Sequence, residues 1–357
     1  MDHALRLAAR SLGRTASNPA VGCVVVSPSG AVIGRGWTGE GGRPHAETIA
    51  LARAGAATRG STAYVTLEPC AHHGQTGPCA DALIAAGVAR VVATLADPDP
   101  RVRGKGFSKL SKAGIEVAQG VRATEARALN AGFFMRIEKG RPLVSLKIAQ
   151  SADGFVADGQ GRSKWITGAA ARRHGHFLRA QSDAVLVGIE TVLADDPLLT
   201  CRLPGLEARS PLRVVLDSRL RLPAGSNIAR TAREHGVALF TTSHKGGEEL
   251  ASQGVEIVRV EAAADGRPEL AAVLRDLAGR GLTRVLAEAG PKLHDALIEA
   301  GLADRIYVYR APTALGGGLP SAFSELVAGR LRVQPRLTLL ARESFAPDLL
   351  ESYDLQG

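Results

Sequence analysis

Pro44-His45-Ala46-Glu47, Leu67-Glu68-Pro69-Cys70 and Gly77-Pro78-Cys79 fall within one stretch of the chain, residues 44–79. One imidazole and two thiols can hold a zinc ion and leave a fourth position open, and a glutamate beside the histidine can move protons. A proline precedes each of the three ligands, and each stands at the end of a strand pattern or the start of a helix pattern. His45 and Cys79 fall at expected helix starts, where free N–H groups and a partial positive charge favour thiolate over thiol. Two thiolates and a neutral imidazole balance the zinc charge, and the metal lowers the pKa of a water in the open position towards ~7. With Glu47 as proton shuttle, this is the equipment of a hydrolytic zinc deaminase. His72 and His73, between the two cysteines, leave open a closed structural site with a fourth protein ligand.

Outward from that stretch, periodicity gives the frame. Residues 2–12 read as a helix, and 21–26 with 31–37 as a hairpin around Ser27-Pro28-Ser29-Gly30. Helices are expected over 45–54, 78–86, 106–113 and 124–136, and strands over 62–67, 90–95 and 115–117. The order α-β-β-α-β-α-β-α-β-α implies a three-layer α/β/α domain over residues 1–140. Glu138-Lys139-Gly140-Arg141-Pro142 marks the boundary. Strands then alternate with helices through residues 141–357, a second α/β domain that does not repeat the first. No Gly-x-Gly-x-x-Gly follows a strand there. An anion site is nonetheless offered by Ala287-Glu288-Ala289-Gly290-Pro291-Lys292-Leu293-His294, a strand end turning into a helix whose open N–H groups can face phosphate.

The 357 residues suit two domains, and 45% hydrophobic with 22% charged is the make-up of a soluble globular chain. A formal charge of +9 fits anionic ligands such as phosphorylated metabolites and dinucleotides, though dispersed surface arginine accounts for it equally. The basic residues form no tail and no aromatic-interleaved patch, so a nucleic-acid partner is not expected. Four cysteines, Cys23, Cys70, Cys79 and Cys201, make no disulfide framework and imply a reducing, cytoplasmic setting. Apolar runs stop well short of ~18 residues, so no membrane span is expected.

The run from Thr66 to Cys79, with eight residues between its cysteines, resembles the deaminase half of the bifunctional riboflavin-biosynthesis deaminase/reductases. Asn18-Pro19-Ala20-Val21-Gly22, Asp97-Pro98-Asp99-Pro100 and Gly104-Lys105-Gly106 fit the same family. Ser17 and Gly77 stand where the family usually has proline. Lys147 to Gly154, Ser163 to Thr167, Leu178-Arg179-Ala180, Val192 to Thr200 and Glu288 to Pro291 are similar to the reductase half, with Ala152 in place of the usual leucine.

The resemblance implies a cytidine-deaminase-like first domain and a dihydrofolate-reductase-like second domain. It implies Zn2+ on His45, Cys70 and Cys79, with Glu47 catalytic. It places Asn18 and His72 on the pyrimidine, and NADPH against Gln150, Trp165, Thr191, Asp195, Ser218 and the turn Gly290, Pro291, Lys292, Leu293, His294, Asp295, Ala296. The phosphorylated sugar would meet Ser163, Arg179, Leu199, Arg202 and Glu288, with the two arginines as phosphate clamps. Glu288 is the nearest candidate for a reductase proton donor. A homo-oligomer is also expected. Two other readings stand beside this one: a nucleic-acid base deaminase with an accessory nucleotide-binding domain, and a structural zinc module joined to a nucleotide-sensing domain.

Overall fold

Alternation along Gly22–Val26 sends Cys23 and Val25 to one face of a sheet and Val24 and Val26 to the other, and helices cover both faces. The computed structural model describes residues 1–73, 77–100, 102–156, 166–316, 321–325, 327–329 and 337–355. Ser163 and Trp165 lie outside the described residues. The chain divides into two units, Met1–Gly140 and Arg141–Gly357.

In the first unit the elements run α1 (Asp2–Ala9), β1 (Gly22–Val26), β2 (Val32–Trp37), α2 (Ala46–Ala54), β3 (Thr62–Val65), α3 (Cys79–Ala85), β4 (Arg90–Ala93), α4 (Lys105–Lys112), β5 (Glu116–Ala118), α5 (Ala123–Leu129) and α6 (Ala131–Lys139). The five strands lie in the order β2-β1-β3-β4-β5, antiparallel across β2-β1-β3 and parallel from β3 to β5. Ala4 and Leu7 of α1 pack with Val24 on one face. Ala46 and Ala50 of α2, Leu83 of α3 and Leu110 of α4 pack with Cys23, Val25 and Ala63 on the other. This is the three-layer arrangement that the element order implies.

Two glycines fix the height of α2. A Cβ at Gly34 would lie 2.2 Å from the Ala50 carbonyl oxygen, and one at Gly36 would lie 2.0 Å from that of Ala46. The helix that begins at His45 therefore rests on bare backbone of β2. The single helix expected over 124–136 is two, α5 and α6, broken at Asn130. The Asn130 side chain is buried and bonds the Ala20 backbone both ways, accepting from its N–H and donating to its carbonyl, each at 2.9 Å. A side chain committed to a distant backbone outweighs the weak local preference for a continuous helix.

The second unit runs β6 (Leu143–Gln150), α7 (Ala169–Ala180), β7 (Ala184–Gly188), α8 (Ile189–Asp195), β8 (Leu212–Leu216), α9 (Asn227–Arg230), α10 (Ala232–His235), β9 (Val237–Thr241), α11 (Glu248–Ser252), β10 (Val255–Arg259), α12 (Leu270–Gly279), β11 (Arg284–Ala287), α13 (Pro291–Glu299), β12 (Arg305–Arg310), β13 (Thr338–Phe345) and β14 (Asp348–Asp354). Its nine strands have the order β10-β9-β8-β7-β11-β6-β12-β14-β13. All pairs from β10 to β12 are parallel, and the last two pairings are antiparallel. Val185 and Val187 face a core built with α7 to α11, while Ala184 and Leu186 face one built with α12 and α13. Both faces of the parallel part are thus covered, as parallel sheets require. Loops at the carboxyl ends of the parallel strands are the natural place for a ligand. Among the described residues no helix is long and apolar enough to cross a membrane.

Candidate metal centre and reductase cluster

His45 is the residue that caps α2, with extended backbone, and Cys79 is the first residue of α3. Cys70 lies in the loop after β3. The structure brings the three together, with the ligand atoms of His45, Cys70 and Cys79 all within 4.8 Å of one another. His45 Nδ1 is 3.1 Å from Cys79 Sγ and 3.6 Å from Cys70 Sγ, and the Cys79 N–H donates to Cys70 Sγ at 3.3 Å. One nitrogen and two sulfurs at this spacing fit zinc, whose bonds to such ligands are about 2.0–2.3 Å long. Among the described residues no fourth His, Cys, Asp or Glu joins the group, and His72 and His73 are exposed. An open coordination position is the mark of a catalytic rather than a structural site.

The two thiols are electrically unequal. A hydrogen bond from Cys79 draws Cys70 down to about 4, helped by His45, while that same bond to Cys70, together with burial, pushes Cys79 up. Cys70 in turn raises the His45 imidazole. A metal cation displaces the proton that the sulfurs share. Glu47, in the first turn of α2, is only 4% exposed, and burial pushes its carboxyl up to about 7 against the opposing pull of His45. Asn18 is half-buried in the turn before β1, its amide 3.5 Å from the Thr15 carbonyl.

In the second unit a charged cluster forms around Glu288, just past the end of β11. Arg179 of α7 grips it with two hydrogen bonds, Nε to Oε1 at 2.5 Å and NH2 to Oε2 at 3.0 Å. The third arm of Arg179 donates to the Thr200 carbonyl at 2.9 Å. Lys147 of β6 places its Nζ 3.8 Å from Glu288 Oε2. Burial alone would raise the Glu288 carboxyl, but Arg179 and Lys147 outweigh it and hold it at about 2. The two cations thus favour the ionised form of Glu288, the opposite of what the proton-donor role expected from the sequence needs. Arg179 is likewise engaged on all sides and is less available as a phosphate clamp than the exposed Arg202. His176 accepts from the Arg202 N–H at 3.3 Å, and burial keeps its imidazole neutral, down at about 4.

A cavity of about 780 Å³ opens beside this cluster, lined by the ends of β7 and β8, the loop before α12 and the start of α13. Thr191, Ser218, Gly290, Pro291, Lys292, Leu293 and Ala296 line it. His294 and Asp295 do not, because helical periodicity turns them away. His294 is buried with Nε2 3.4 Å from the Ala287 carbonyl, and Asp295 accepts from the Ser324 N–H at 3.1 Å. Asp195 is exposed at the end of α8, Gln150 is buried at the end of β6, and neither lines the cavity. Leu199 is buried in the core with φ of 55°, and Asp196 has φ of 38°. Asp196 is the left-handed C-terminal cap of α8, and Leu199 directly precedes Thr200, whose carbonyl Arg179 holds. Sequence reasoning gave Lys147 no role. The signal was there, a lysine in the middle of an apolar central strand.

Comparison with known proteins agrees with both halves. Residues 1–95 match the cytidine and deoxycytidylate deaminase zinc-binding region, and residues 142–350 match the RibD C-terminal domain. The riboflavin biosynthesis protein RibD of Escherichia coli K12 is 43% identical over 329 residues, 88% of each chain. The solved structure of Acinetobacter baumannii RibD superposes with a TM-score of 0.87 at 40% identity, covering 99% of this chain and 97% of that one. A Thermotoga maritima structure described as a diaminohydroxyphosphoribosylaminopyrimidine deaminase/5-amino-6-(5-phosphoribosylamino)uracil reductase gives a TM-score of 0.86 at 35% identity over the same shares.

Proposed function

This chain belongs to the RibD family, the bifunctional deaminase/reductases of riboflavin biosynthesis, and we propose that its two halves act in succession on one phosphorylated pyrimidine. The first unit hydrolyses 2,5-diamino-6-(5-phosphoribosylamino)pyrimidin-4-one to 5-amino-6-(5-phosphoribosylamino)uracil and ammonia. The second reduces the ribosyl group of that product to ribityl. The observation that carries the reading is the three-ligand cluster with a buried glutamate two residues after its histidine.

His45, Cys70 and Cys79 hold the zinc, which when bound supplies a Lewis acid that activates water at neutral pH. Glu47 would take a proton from the attacking water and pass it to the departing amine. A carboxyl that burial lifts and the metal's charge lowers can do both near neutral pH. Asn18 and His72 present donors and acceptors to the pyrimidine edge.

NADPH, when bound in the 780 Å³ cavity, supplies the hydride of the second reaction. Thr191, Ser218 and the start of α13 would hold its polar groups, with the backbone N–H groups of Gly290 and Lys292 offered to phosphate; Pro291 has none, and that of Leu293 donates to the Gly290 carbonyl at 3.2 Å. Arg202, the exposed cation, would meet the sugar phosphate. Glu288 anchors Arg179 and Lys147.

Zinc-ligating thiols need reduced cysteine, which supports a cytoplasmic setting. The outermost strand β13, with Leu339 and Leu340 at 46% and 49% exposure, supports a homo-oligomer. The decisive experiment follows the two stages in the purified chain. Ammonia should be released without cofactor, and NADPH should be oxidised only once deamination has occurred. NADPH consumption with the undeaminated pyrimidine, at a rate matching that with its product, would overturn the proposed order.

A further inference from the structure

Glu68, two residues before the Cys70 ligand, and the motifs Asp97 to Pro100 and Gly104 to Gly106 have no part in the chemistry above, and they meet at the Glu68 side chain. Glu68 is 4% exposed and accepts four backbone N–H groups. Its Oε2 takes those of Asp97 at 3.1 Å and Gly104 at 2.9 Å, and its Oε1 takes those of Gly106 at 2.8 Å and Phe107 at 3.3 Å. Gly106 and Phe107 hold the second and third positions of α4, whose orphan donors normally bond the side chain of the capping residue. The capping residue here is Gly104, with φ of 76° and no side chain. A glutamate 36 residues earlier takes over the task.

The contact runs both ways. A Cβ at Gly106 would lie 1.9 Å from the Pro69 carbonyl oxygen, so α4 presses directly on the backbone between Glu68 and Cys70. The Glu68 N–H is fixed to the Leu95 carbonyl at 2.9 Å, and the Cys70 carbonyl accepts from Ala80 of α3 at 3.1 Å. Proline at 69 has a locked φ. The segment carrying the Cys70 thiol is thus held at its near end by α4 and at its far end by α3.

We propose that Glu68 is a positioning residue of the metal centre, which acts through Pro69 to set the Cys70 ligand and uses Gly104-Lys105-Gly106 as its backbone receptor. An ionised carboxylate suits four donors, because all its lone-pair sites accept. Glutamine would turn two N–H donors against the same amides. Outer partners of this kind typically change metal affinity or activity by about 10- to 100-fold.

The inference rests on the zinc reading, and the test separates the two. Zinc content and release to a chelator are measured on the full chain, wild type, Glu68→Gln and Gly106→Ala. The visible spectrum of the cobalt-substituted proteins, deaminase kcat and KM, and reductase activity on the deaminated substrate are recorded alongside. Expected for both variants are zinc affinity down about 10- to 100-fold, a changed cobalt spectrum, and a lower deaminase kcat at saturating zinc with KM little moved. Reductase activity should stay at the wild-type level. Lower thermal stability of Glu68→Gln with zinc affinity, cobalt spectrum and kcat all unchanged would reduce Glu68 to a helix cap and overturn the proposal. If Glu68→Gln does not fold, Gly106→Ala decides by the same criteria. A wild-type chain that holds no zinc overturns the metal reading along with this one.

Discussion

Glu47 and Glu288 are both buried carboxylates at the heart of a reaction site, yet their proton affinities lie on opposite sides of the ordinary value. Glu47 is pushed up to about 7 by burial, with only one imidazole to oppose it. Glu288 is brought down to about 2 by a two-pronged arginine and a nearby lysine. Burial is common to both; the neighbouring charge decides the outcome. The first can therefore exchange protons, while the second is a fixed negative charge that organises cations. In the proposed mechanism the same residue type does acid–base work in one unit and electrostatic scaffolding in the other.

The largest effect should come from removing the exchangeable proton. Glu47→Gln should lower ammonia release by about 10³-fold, the range for a lost general acid–base, while NADPH oxidation with the deaminated substrate is unchanged. A parallel fall in both activities would mean that the two sites are not independent. Neutralising the fixed charge should act differently. Glu288→Gln leaves Arg179 and Lys147 without their counter-charge, so reductase kcat should fall about 10²-fold with the deaminase untouched. Urea unfolding should also show a loss of about 3 kcal/mol, the usual scale for breaking a buried pair from one side.

The pH dependence sharpens the contrast further. Glu288 lies lower in the fold, at about 2, than its ordinary 4.5. Its stabilisation is complete above 4.5 and is lost as the pH falls towards about 2, a loss of roughly 3 kcal/mol in all. Melts of wild type and Glu288→Gln should converge across that acid window and differ above it; parallel curves would contradict the depressed carboxyl. The smallest effect is expected at the rim. Arg202→Ala removes an exposed cation and should raise reductase KM about tenfold with kcat retained, consistent with the loss of one charge-assisted contact to phosphate.

The metal centre was legible because its ligands announce themselves by type. His, Cys and Cys, each after proline and each at an element boundary, mean little else in combination, and cysteine is scarce in this chain. The layer order of the first unit and the alternation of strands and helices in the second also followed from periodicity. Where the reading stopped, a long-range partner was at work. Nothing near Asn130 shows that it will bond Ala20 and split a helix. Nothing near Arg179 shows that Glu288, 109 positions away, will occupy it. Short helices α9, α10 and α11, of four, four and five residues, carry too little periodicity to be seen. Most of the turn after β11 lines the cavity, but which of its residues face inward depends on helix phase, which turns His294 and Asp295 away from it.

The seating of α2 on Gly34 and Gly36 has a consequence for anyone who would alter this enzyme. The histidine ligand and the glutamate ride on a helix whose distance from the sheet is set by main chain against main chain, with no side chain to trim or enlarge. Libraries that vary those two positions should yield mostly dead deaminases with intact reductases. Diversity aimed at a new pyrimidine belongs instead at the open side, around the exposed His72 and His73, where a change in shape leaves the anchor of the chemistry in place.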